Sequence, residues 1–123
     1  MIYNSERHQQ SLDFAVNQVK ASPVFPFVQS IILFGSCARK ENKWSSDVDI
    51  FLALSPEIKN HEELRRALRF LQGTISPTDM DLPEVDLKIA IGDGWKQDGS
   101  FFHQQIIKEG ITIWDRTTTI THT

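Results

Sequence analysis

The sequence predicts a layered α/β (α+β) fold, a mixed β-sheet with helices packed on it. Two observations predict it. Helical and strand periodicities succeed one another in the order α-β-β-α-β-α-β. The chain has 123 residues, the size of one ordinary domain and enough to bury a core without staples. A single domain over 1–123 is expected, with a core over about 28–115, an N-terminal helix within 1–22 and a flexible tail over 116–123.

Residues 5–21 read as a helix because Leu12, Ala15, Val16 and Val19 recur at the spacing of one helical face. Pro23 and Pro26 stop it, since proline lacks the amide hydrogen a helix needs. Residues 28–35, VQSIILFG, are rich in β-branched and aromatic side chains and become apolar on both faces from Ile31, as a central strand should. Gly35 ends that strand, and residues 36–46 form a polar connection with room for a helical turn. The second strand is DVDIFLAL, residues 47–54. Alternation turns Asp47 and Asp49 to one face, Val48 and Ile50 to the other.

Residues 60–76 give a second amphipathic helix with Leu64, Leu68, Leu71 and Ile75 on one side. Asn60 is its expected N-cap, with Glu63 three residues on. A third strand is expected over 82–91, then a glycine-rich loop over 92–99 and a short helix over 100–110. Gly110 is expected to stop that helix as a left-handed cap. ITIW, residues 111–114, is the last strand, and DRTTTITHT reads as a frayed tail.

Composition narrows the function. A formal charge of -3 argues against broad electrostatic binding of nucleic acid. Cys37 is the single cysteine, so no internal disulfide forms, in keeping with a reducing cytoplasm. No basic-then-apolar leader opens the chain and no stretch reaches membrane-span length, so a soluble, cytoplasmic protein is expected. His8, His61, His103 and His122 lack ligand spacing, which argues against zinc. The charges of ELRRALR read as a solvated helix face. Trp44 and Trp95 each suit either stacking on a nucleobase or partner, or anchoring a loop.

The chemistry concentrates in FGSCARKENKWSSDVDIFLAL. Charges inside a buried strand are costly unless something pairs them. Carboxylates at i and i+2 on one strand face stand close enough to share a hard cation, and Mg²⁺ takes one or two carboxylates plus phosphate oxygens and water. The bland alternative is a half-exposed edge strand carrying two solvated acids, against which Phe51, Leu52 and Leu54 argue. Gly35 lets the backbone approach a ligand closely, and amides there with the Ser36 hydroxyl suit an anion such as a terminal phosphate. Gly-Ser alone is a common turn, so the signal lies in its placement before the acid pair. Asp86 opposes the apolar face of the third strand and suits either a two-metal site or a general base, with Glu84 as a competing candidate.

Gly35-Ser36, ten residues, then Asp47-Val48-Asp49 resembles the G-S-x10-D-x-D signature of the DNA polymerase β-like nucleotidyltransferase superfamily. The short chain, closing on SFFHQQIIKEGITIW, is similar to its stand-alone minimal nucleotidyltransferases. The resemblance implies that Asp47, Asp49 and Asp86 are catalytic and bind Mg²⁺, two ions in all. It implies that Gly35, Ser36, Arg39 and Ser46 hold the phosphates of ATP. Many relatives have glycine after that arginine; here it is Lys40.

The implied reaction is attack by an acceptor hydroxyl on the α-phosphorus, with pyrophosphate leaving. Minimal nucleotidyltransferases typically pair with a small all-helical HEPN toxin and adenylylate its tyrosine, which implies an antitoxin role. Two other functions fit the same residues: the catalytic subunit of a small-molecule nucleotidyltransferase of the aminoglycoside-modifying kind, or an antitoxin that acts by binding alone.

Overall fold

Strands β1 (Val28–Phe34), β2 (Val48–Leu54), β3 (Val85–Ile91) and β4 (Ile111–Asp115) form one four-stranded sheet in the computed structural model, which describes residues 6–116. Their spatial order is β3-β2-β1-β4. β1 runs antiparallel to both β2 and β4, while β2 and β3 are parallel. The mixed sheet is thus as expected. Between β2 and β3 the chain makes the crossover that a parallel pair requires, through a 3-10 turn at Pro56–Asn60 and helix α3 (Glu63–Thr74).

The sheet is covered on both sides. Leu12, Ala15 and Val19 of α1 (Glu6–Ala21), with Leu71 of α3 and Ile75 just beyond it, pack on Ile31, Leu33, Ile50, Leu52 and Leu54. A smaller cluster lies on the opposite face, where Ile32, Phe51 and Ala53 meet Trp95 and Ile106 of α4 (Phe101–Glu109). The polar connection after β1 opens with the one-turn helix α2 (Gly35–Ala38). No helix among the described residues is long and apolar enough to cross a membrane.

Four local expectations are corrected. Asn60 is not the cap of α3: Pro56 starts a separate 3-10 turn, capped by the Ser55 hydroxyl accepting from the Glu57 amide at 3.3 Å, and Asn60 is its last residue. Helix α3 begins after Glu62, whose side chain makes no capping bond. β3 starts at Val85 rather than at 82, because Asp79 folds the preceding segment into a turn by accepting the Asp81 and Leu82 amides at 2.9 and 3.1 Å.

Gly110 is extended, at φ -67° and ψ 146°, not left-handed. Glycine is needed there for space, since a Cβ would lie 2.5 Å from both the Ile106 carbonyl oxygen and Ile32 Cγ2. Asp115 belongs to β4, and Arg116 is anchored rather than frayed. Its guanidinium donates to the Val28 and Phe25 carbonyls, each at 2.8 Å. The rest of the expected tail, 117–123, lies outside the described residues, as do residues 1–5.

Candidate active site

The end of β1 and the starts of β2 and β3 meet at one end of the sheet. Phe34 stands opposite Asp49, and Asp49 opposite Asp86, in adjoining ladders. Gly35 therefore follows β1 where Asp49 enters β2. Its φ of +74° is a left-handed backbone that favours glycine. A second reason is steric: a Cβ on Gly35 would collide with the Asp49 carboxylate. The motif's first glycine is thus fixed by its last aspartate. Ser36 follows in the first turn of α2, half-buried, with its carbonyl accepting the Glu41 amide at 2.8 Å.

Asp47 lies one residue before β2 and is exposed, whereas Asp49 is partly buried. Asp86 is partly buried as well, and Lys88 Nζ lies 3.4 Å from its carboxylate. Glu84 falls outside β3, is exposed, and meets β2 through its backbone carbonyl, which accepts the Val48 amide at 2.9 Å. Asp86, not Glu84, is the register partner of Asp49.

Burial first, then the negative charges of Asp86 and Asp47, pushes Asp49 up from 3.8 to about 6, with Lys88 and Arg39 pulling the other way. The chain thus holds a carboxylate where ionisation is unfavourable, the condition a bound cation would relieve. Cys37 is pushed up to about 11, chiefly by burial and next by Asp49. It stays a protonated thiol, in hydrogen-bond contact with the Asp47 carbonyl at 3.6 Å, and is no nucleophile.

The remaining expected phosphate ligands are placed less directly. Arg39 is exposed and already paired, with Glu41 at 3.0 Å and Glu109 at 3.4 Å. Such surface pairs contribute at most about 1 kcal/mol, so a phosphate can displace them. The Ser46 hydroxyl accepts the Lys43 amide at 2.8 Å and shapes the turn ahead of Asp47. Lys40, standing where many relatives have glycine, adopts φ 62°, so the loop keeps a left-handed turn with a residue that disfavours it.

No group of three or more His, Cys, Asp or Glu side chains among the described residues already stands in a metal-ligating arrangement. The donor set nevertheless fits Mg²⁺, which needs only one or two carboxylates when phosphate oxygens and water complete its shell. Trp95 is a loop anchor, buried with its ring 4.7 Å from that of Phe51. Trp44 is exposed beneath the Arg7 guanidinium, 3.4 Å from the ring centre.

Arg7, His8 and Ser11 of α1 escaped sequence reasoning. They bond to the two loops that lead into Asp47 and Asp86. The available signal was His8, four residues before Leu12 on the stripe that continues through Ala15 and Val19.

A family model described as polymerase beta, nucleotidyltransferase, matches residues 20–119. The chain belongs to the polymerase β nucleotidyltransferase family. This nucleotidyltransferase is similar to a Sulfolobus solfataricus protein, solved as a candidate nucleotidyltransferase, with 21% identity and a TM-score of 0.59 over 91% of this chain and 86% of that one. That likeness shows the fold. A structure described as a toxin-antitoxin with AMP-PNP is 18% identical, with a TM-score of 0.49 over 89% of this chain and 84% of that one. No curated protein matches the sequence significantly.

Proposed function

We propose that this nucleotidyltransferase transfers AMP from Mg-ATP to a tyrosine hydroxyl of a small all-helical HEPN-type toxin and so acts as its antitoxin. The observation that carries the site is the row Gly35, Asp49, Asp86: a glycine that makes room for one carboxylate, and a second carboxylate in register beside it. Asp47, Asp49 and Asp86 are the residues that would hold Mg²⁺, two ions in the full complement. When bound, the metal neutralises charge on the phosphates and aligns nucleophile with leaving group. Gly35 and Ser36 would take the β- and γ-phosphates, with Arg39 released from its glutamates and Ser46 bordering the same end of the sheet.

In the reaction the tyrosine oxygen bonds to the α-phosphorus and the bond from that phosphorus to the β-phosphate bridging oxygen breaks. Pyrophosphate leaves with the electron pair, and the hydroxyl proton passes to a carboxylate of the acid cluster. The protein partner rests on the likeness of Gly35-Ser36, Asp47-Val48-Asp49 and the close SFFHQQIIKEGITIW to minimal nucleotidyltransferases, which work on a separate acceptor protein.

The test is intact mass of both chains after incubation with Mg²⁺ and ATP beside a HEPN-type protein encoded next to this one. One or more AMP units on the partner, on tyrosine and lost in Asp49→Asn, is the expected result. A stable complex without transfer would overturn the catalytic reading in favour of neutralisation by contact. Transfer to aminoglycoside-like hydroxyl compounds with no protein acceptor would replace the partner with a small molecule.

A further inference from the structure

We propose that α1 is a positioning brace for the acid cluster, in which His8, with Arg7 and Ser11, holds together the two loops that deliver Asp47 and Asp86. His8 is 1% exposed and Ser11 is fully buried. Buried polar groups are unfavourable unless hydrogen-bonded, and packing alone would be served by more residues like Leu12, Ala15 and Val19 of the same helix. Each makes a hydrogen bond to a carbonyl far along the chain.

His8 Nε2 lies 2.8 Å from the carbonyl oxygen of Ser46, the residue before Asp47. A carbonyl only accepts, so the imidazole carries a proton on Nε2. The Ser11 hydroxyl donates at 2.7 Å to the carbonyl of Pro83, three residues before Asp86. Arg7 bridges the same two loops, donating to the Asp81 carbonyl at 2.8 Å and the Trp44 carbonyl at 3.1 Å while its guanidinium lies over the Trp44 ring. One step further in the two segments join directly, where the Val48 amide donates to the Glu84 carbonyl at 2.9 Å. One helix face therefore fixes how far each loop sits from the other, and with it the separation of Asp47 and Asp86.

The brace rests on the reading of Asp47, Asp49 and Asp86 as the metal and nucleotide site. Groups hydrogen-bonded directly to metal-ligating side chains are worth about 10- to 100-fold in metal affinity, and His8 acts one residue further out, at the lower end of that range. His8→Phe fills the same space without the N–H, and His8→Gln restores a donor.

The experiment titrates the full chain with Mn²⁺ in the presence of AMP-PNP, followed by electron paramagnetic resonance, beside amide hydrogen exchange at Ser46 and Val48. The expected result is Mn²⁺ binding about tenfold weaker in His8→Phe and recovered to within about threefold in His8→Gln. Exchange at both amides should be faster in the Phe variant alone. Val19→Ala, buried on the same helix but far along it from the loops, should lower the melting temperature and leave Mn²⁺ affinity unchanged.

Wild-type affinity and exchange in His8→Phe would overturn the brace, as would equal losses in Val19→Ala. If His8→Phe does not fold, Arg7→Ala carries the same test with an expected loss of about threefold. Should the wild-type chain bind no Mn²⁺, the metal reading fails, and exchange at Ser46 and Val48 still decides whether α1 braces the loops.

Discussion

The two faces of β2 put opposite demands on one backbone. Val48, Ile50, Leu52 and Leu54 point to the α1 and α3 side and are at most 1% exposed. Asp49, Phe51 and Ala53 point the other way, and the first of these is a carboxylate held where burial and two neighbouring acids oppose its charge. The apolar face gains stability from every residue. The acid face gives some up at its first position and recovers it only when something positive arrives. A strand that alternates in this way lets the core hold the site rigid without core residues taking part in the chemistry.

The sharpest way to break that comparison is one substitution on each face. Asp49→Asn should abolish nucleotide transfer, by about 10³-fold or more as expected for loss of an electrostatic catalytic group, and leave the fold intact by circular dichroism. Ile50→Ala, the next residue, should cost about 2–5 kcal/mol in urea unfolding while the folded fraction keeps its activity. Were Asp49→Asn to keep full transfer, or Ile50→Ala to abolish it in the folded fraction, the two faces would not be divided in this way.

Gly35→Ala comes next, because it affects both properties. A left-handed backbone and a Cβ directed into the Asp49 carboxylate should together cost about 1–3 kcal/mol. Nucleotide affinity, read by calorimetry with AMP-PNP, should fall with stability. A smaller effect is expected at Lys40, where φ is 62°. Lys40→Gly relieves that backbone and should stabilise by about 1 kcal/mol in thermal unfolding, with transfer unchanged.

How much of this was legible in the sequence follows from which interactions are local. Strand alternation and apolar spacing revealed the four strands and the two long helices, because each depends on residues a few positions apart, whereas the strand expected from Asp47 begins one residue later, at Val48. Gly35 was readable as a turn, but its contact with Asp49 depends on the antiparallel pairing of β1 with β2, which no local pattern states. Gly110 misled for the same reason, since its demand for glycine comes from Ile32 across the fold and not from a left-handed turn. Asn60 had the right letters for a cap, yet Pro56 and Ser55 had already claimed the segment for a 3-10 turn. Arg116 looked like tail because its partners, Phe25 and Val28, lie about 90 residues away. The brace from α1 was least legible, because His8 and Ser11 bond to backbone carbonyls whose need for a donor appears only in the folded chain.

The direction of the Asp49 shift fixes the sign of its pH effect. Between 3.8 and about 6 the folded chain holds a proton that the unfolded chain has lost, so stability falls as pH rises through that window. After screening by solvent, the loss is on the order of 1–2 kcal/mol. Asp49→Asn removes the slope. The direct measurement is the unfolding free energy of wild type and Asp49→Asn at pH 7.5, first without metal and then with Mg²⁺ and AMP-PNP. Without metal the variant should be the more stable of the two, and Mg²⁺ with nucleotide should raise wild type above it. A wild-type chain already more stable than Asp49→Asn, and indifferent to Mg²⁺ and nucleotide, would contradict both expectations.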